Sequence, residues 1–151
     1  SSSDGDEAAL ATPPVRDATA GGCWQEAQVA APGDDGSARW TAPPVRVVDE
    51  GARYLAHFAT DRGAFVVELA AESAPESVNA FVCLVEAGFY DGSSFDRIAA
   101  GAIQGGDPDG AGPGFVVAET GDRSNYRRGD VTLLPSGTGG VGSRFAIFLA
   151  D

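Results

Sequence analysis

The sequence predicts a mainly β fold, an antiparallel β-barrel with a capping helix. Three observations carry this: period-two alternation around Asp61-Arg62-Gly63, one stretch of helical periodicity after Ser73, and several short strand-like runs between glycine-rich turns.

The alternation runs from Tyr54 to Phe58 and resumes through Phe65, Val67 and Leu69, which reads as a β-hairpin. The helix follows. Ser73 suits the N-cap, Glu76 completes a capping box, and Pro75 is tolerated in the first turn. Val78, Phe81, Val82 and Val85 recur at i, i+3, i+4 and i+7 and give one apolar face, and Gly88 suits the C-terminal cap. Further strand-like pieces are Phe95–Ile98, Ala102–Gln104, Phe115–Val117, Val131–Leu134 and Phe145–Leu149, and Ser136 to Gly142 reads as a flexible loop.

Residues 1–44 differ in composition from residues 45–151. They are rich in Ala, Gly, Ser, Pro and Asp, and seven acidic against two basic residues leave them at −5. They read as an acidic linker or tail. Within them, Trp40 is expected to pack on the following domain, because an isolated Trp in a linker gains most by docking. The whole chain carries −12, which argues against nucleic-acid binding, since phosphate contacts need Lys and Arg. It contains no apolar run of the length that a membrane-spanning helix needs. Its polar opening, without Met, leaves two expectations for the compartment: export with a removed signal (secreted or lipid-anchored), or the cytoplasm. Cys23 and Cys83 are too few for a disulfide framework, and a single bridge between them stays open. Gly101 to Gly114 lacks the Lys and helix start of a phosphate loop. Asp107, Asp109, Glu119 and Asp122 lack EF-hand spacing and read as a solvated acidic loop.

Four stretches in order carry a family likeness: Arg62 to Leu69, Ala74-Pro75-Glu76-Ser77-Val78-Asn79-Ala80-Phe81-Val82, Gly88-Phe89-Tyr90-Asp91-Gly92-Ser93-Ser94-Phe95-Asp96-Arg97 followed by Gln104-Gly105-Gly106-Asp107-Pro108, and Tyr126-Arg127-Arg128-Gly129 leading into Gly142-Ser143-Arg144-Phe145-Ala146-Ile147. The region from about 45 to 151 resembles the cyclophilin family of peptidyl-prolyl cis-trans isomerases. The resemblance implies a barrel of which this chain supplies six or seven strands and the first helix. The family's closing section is expected after Phe145–Leu149, so an open strand edge is expected here. Cys23–Val29 and Val45–Val48 are the segments of this chain that could cover it.

By resemblance, Arg97 matches the family's catalytic Arg, and Gln104 its substrate-binding Gln. Read without the family, Arg97 caps a strand end and pairs with Asp96 or Asp107. The remaining substrate-binding positions fall on Ala102, Arg144, Phe145 and Ala146. Several of these depart from the pattern. Asp96 stands where His is usual, and the chain is one residue short between Arg97 and Gln104. Ala102 and Ala146 stand for pocket Phe residues, Arg144 for a Gln, and Pro135 for an Asn. His57, in the first hairpin, cannot replace the family's pocket His and reads as an ordinary strand residue.

The implied partners are proline-containing peptides or unfolded client proteins. Isomerisation needs no metal or cofactor. The expected function is a prolyl isomerase that assists folding, with a weakened site. The alternatives are a catalytically inactive peptide-binding module and a truncated copy without activity.

Overall fold

The computed structural model describes residues 18–32, 38–99, 101–107, 112–118, 128–135 and 140–149. Six strands and one α-helix are described: β1 Tyr54–Thr60, β2 Gly63–Leu69, α1 Pro75–Glu86, β3 Phe95–Ala99, β4 Ala102–Gly105, β5 Val131–Pro135 and β6 Val141–Phe148. β1 and β2 form the expected antiparallel hairpin, in register from Tyr54 opposite Leu69 to Thr60 opposite Gly63. The other four strands make a second antiparallel sheet in the order β3-β4-β6-β5. The described strands therefore stay in two sheets, and the barrel is not closed.

The helix begins one residue later than its capping signal. Ala74 is the N-cap and makes no side-chain cap bond, since its methyl group offers no acceptor, and Pro75 occupies the first helical position, where a missing N–H costs nothing. Glu76 is instead ion-paired with Arg46. The C-terminal signal is realised. Gly88 has φ +75°, and the Gly88 and Phe89 N–H groups donate to the Val85 and Leu84 carbonyls. This is a Schellman end, and its two apolar partners, Leu84 and Phe89, are both fully buried.

The helix's buried face is turned from the expected one. Val78 and Phe81 are buried, but Val85 is exposed, while Ala80, Cys83 and Leu84 are enclosed. The reason lies in the N-terminal segment. Cys23 forms a disulfide with Cys83 across a sequence separation of 60, which draws this side of the helix against residues 18–24. Trp24 and Trp40 are 3% and 1% exposed. Their rings stack with centroids 4.1 Å apart, against Phe89 and Phe115. Their indole N–H groups donate to the Ala42 and Ala18 carbonyls at 2.9 Å. Trp40 thus packs on the domain as expected. With it, residues 18–32 and 38–44 of the acidic segment contribute to the main core. Gly114 lies close against this segment. Its φ is +98°, and a Cβ there would lie 2.1 Å from the Trp40 carbonyl oxygen.

Neither candidate for the open edge pairs with a strand among the described residues. Val29 bridges Trp40, and Val45–Val48 is held by Asn79. The Asn79 side chain accepts from the Val47 and Val48 N–H groups and donates to the Val45 carbonyl. Of the expected strand Phe115–Val117, only a bridge between Val117 and Val141 forms. Conversely, β6 begins at Val141, inside the stretch read as a loop; residues 136–139 lie outside the described ones.

Tyr90 ties the helix end to β6, its hydroxyl donating to the Ser143 carbonyl at 3.0 Å. Although the ring keeps some accessible surface, the hydroxyl is enclosed. Burial pushes its pKa well above the ordinary tyrosine value of 10.0, and the Asp107 carboxylate adds to the shift. The folded protein therefore keeps this proton where the unfolded chain loses it. The contribution is fully present below the ordinary value and is lost as pH rises from there toward the raised one. Above about pH 10 stability should fall by up to about 1.4 kcal/mol per pH unit. Urea midpoints measured on wild type and Tyr90→Phe should show a shallower alkaline decline in the variant.

Candidate functional site

The site is laid out by strand register. Arg97 on β3 lies directly opposite Gln104 on β4, Gln104 opposite Ala146 on β6, and Ala146 opposite Thr132 on β5. Directly opposed residues share a sheet face, and residues two apart along a strand share it too. Arg97, Gln104, Ala102, Ala146 and Arg144 therefore project from one face. Phe145, grouped with them by sequence, projects from the other. It is 5% exposed, in the core, in edge contacts with Phe58, Phe81, Tyr90 and Phe95. Its part is to anchor the sheet rather than to line the site.

A β-bulge shapes the charged end of this face. Pairing steps from Phe95–Gly105 to Arg97–Gln104, so Asp96 is the extra residue and two charged residues oppose one Gln. Asp96 does not pair with its neighbour Arg97. It accepts two hydrogen bonds from Arg144, Nη1 to Oδ2 at 3.0 Å and Nη2 to Oδ1 at 3.2 Å. Arg144 Nη2 also donates to Gln104 Oε1 at 3.3 Å. The pair is partly exposed, at 33% for Arg144 and 46% for Asp96, so its weight in stability is about 0–1 kcal/mol and its main effect is geometric. Among the described residues the Arg97 side chain makes no hydrogen bond or ion pair, and it is exposed.

Ala102 and Ala146 are buried, at 9% and 2%. They bring little apolar surface to the face, as a methyl group in place of a phenyl ring must. Pro135 ends β5 opposite Val141, exposed. His57 is exposed in β1, opposite Val66. Asp107 accepts from the Gly112 N–H at 2.8 Å; Asp109, Glu119 and Asp122 lie outside the described residues. No helix among the described residues is long and apolar enough to cross a membrane. What the sequence reading missed is the Asp96–Arg144 pair. The available signal was that two departures from the family pattern carry opposite charges.

A solvent-facing guanidinium beside a carboxamide suits the binding and polarising of a peptide amide. Comparison with known proteins bears on the family. The family model described as "Cyclophilin type peptidyl-prolyl cis-trans isomerase/CLD" matches residues 55–150. A peptidyl-prolyl cis-trans isomerase of Helicobacter pylori strain J99 is 33% identical over 119 residues, covering 72% of this chain and 74% of that protein. Its counterpart in strain 26695 is 35% identical over 98 residues, covering 61% and 60%. Peptidyl-prolyl cis-trans isomerase B of Bacillus subtilis is 38% identical over 86 residues, covering 53% and 60%. The chain thus spans about three quarters of the first relative's length and about 60% of the other two. With the matched region taking in five of the six strands whole, most of the sixth and the entire α-helix, the chain belongs to the cyclophilin-type peptidyl-prolyl cis-trans isomerases.

Proposed function

We propose that this chain isomerises X–Pro peptide bonds in proline-containing peptides or unfolded clients, with Arg97 as the catalytic residue and a reduced pocket. The family domain is taken as 45–151, with 1–44 as an acidic extension whose described parts clasp it. The observation that carries the reading is the direct opposition of an unpaired Arg97 and Gln104 on the outward face.

The barrier to X–Pro rotation is ~18–20 kcal/mol and comes from amide resonance. Twisting the bond localises the lone pair on nitrogen. A donor aimed there binds the twisted amide better than the planar one, and only such a difference accelerates the step. Arg97 offers fixed, permanently charged donors. Gln104 serves as a backbone contact, with Arg144 beside it and Ala102 and Ala146 as the floor. Each Ala forgoes the ~1.5–3 kcal/mol that burial of a Phe brings, so substrate should be held weakly. That floor also favours the second reading, a peptide-binding module without turnover. The Cys23–Cys83 bridge supports a place in an oxidising compartment, where disulfides persist. NMR exchange on a short Ala-Pro peptide, with wild type and Arg97→Ala, tests the proposal. Exchange that quickens with wild type and not with the variant is expected.

A further inference from the structure

We infer that Asp96 and Arg144 are paired positioning residues, which turn the Gln104 amino group outward as a donor and keep Arg97 free of an ion pair. The inference rests on the peptide-binding reading above.

The chemistry of the three side chains fixes the arrangement. A guanidinium has donors only, so the atom of Gln104 that it meets at 3.3 Å is the carbonyl oxygen. The two hydrogens on Gln104 Nε2 are then left for another acceptor, and among the described residues they find none. An extended peptide crossing this face brings backbone carbonyls, which are acceptors of the right kind. Arg144 could not impose this alone, since a long side chain on an exposed face has several rotamers. Asp96 holds it at both Nη atoms.

The same contact settles what happens to Arg97. Asp96 adjoins it in the bulge and is the nearest carboxylate in sequence. With both of its oxygens on Arg144, it leaves the Arg97 guanidinium uncommitted. An isolated Asp at 96 would draw Arg97 away from an incoming amide. An isolated Arg at 144 would leave Gln104 unaligned. The two departures from the family pattern are therefore one coupled change.

The test compares wild type, Asp96→Asn, and the exchanged double variant Asp96→Arg/Arg144→Glu. Side-chain NH2 relaxation of Gln104, read by NMR without peptide, should show an ordered amide in wild type and a looser one in Asp96→Asn. In the exchanged variant the ion pair is kept, but residue 144 can only accept, so Gln104 must turn its amino group inward. Its melting temperature should stay at the wild-type value while its affinity for a short Ala-Pro peptide falls on the order of tenfold, the loss of one hydrogen bond. Equal Gln104 order in wild type and Asp96→Asn, or full peptide affinity in the exchanged variant, would overturn the inference. If wild type binds no peptide, the functional reading fails, and the Gln104 relaxation still decides the positioning.

Discussion

Removing the disulfide should lower stability by about 4 kcal/mol. Cys23 and Cys83 are separated by 60 residues, and cross-linking a loop of that length restricts the unfolded chain by roughly this amount in the loop-entropy account. The folded state gives a second reason to expect a large effect. The bridge fastens residues 18–24 to the helix, and Trp24 belongs to the same core cluster as Ala80, Cys83 and Leu84. Urea unfolding of the Cys23→Ser/Cys83→Ser double variant should show a much lower midpoint, and the same midpoint with or without reductant. Wild type should approach it only when reduced. An unchanged midpoint in the double variant would mean that the N-terminal segment is held by packing alone.

Replacing Trp40 with Ala should cost about 3–5 kcal/mol, the range for truncating a large buried aromatic. Trp40 is 1% exposed, stacks on Trp24, and meets Phe89 and Phe115 at centroid distances of 5.9 and 6.2 Å. Its removal also strands the Ala18 carbonyl, which accepts from its indole N–H. The stacked pair gives an independent readout, since two indoles at 4.1 Å couple in circular dichroism. Loss of that couplet with little loss of stability would show that Trp40 decorates the domain rather than completing its core. These two substitutions share one core cluster, so their effects should not add.

The parts of the fold written in local pattern were legible. The β1–β2 hairpin followed from period-two alternation, and the C-terminal end of α1 from Gly88, because both depend on neighbours in sequence. What escaped was set by distant partners. Val85 repeats at helical spacing, yet it is exposed, because the disulfide and the Trp pair claim the adjacent side of the helix. The first residues of β6, Val141-Gly142-Ser143, have the composition of a turn, and the strand starts there because Val141 pairs with Val117 and Pro135. No local rule joins Cys23 to Cys83.

The site divides in the same way. Arg97 and Gln104 were placed by family likeness, and the register sets them opposite one another. Phe145 was grouped with its neighbours Arg144 and Ala146, although strand alternation alone sends it to the other face. The Asp96–Arg144 contact spans 48 residues and depends on the bulge at Asp96, which periodicity does not announce.

We propose that the outward face around Arg97 turns over X–Pro bonds. The most direct measurement is NMR exchange between the cis and trans forms of a short Ala-Pro peptide, with the purified 1–151 chain and its Arg97→Ala variant. Wild type should accelerate exchange, and the variant should lose on the order of a hundredfold in kcat/KM, the usual cost of deleting one transition-state donor. Its fold and its weak peptide affinity should be little changed. No acceleration by a well-folded wild type, or equal acceleration by Arg97→Ala, would contradict the account and leave the face as a peptide-binding surface or as a surface with another use.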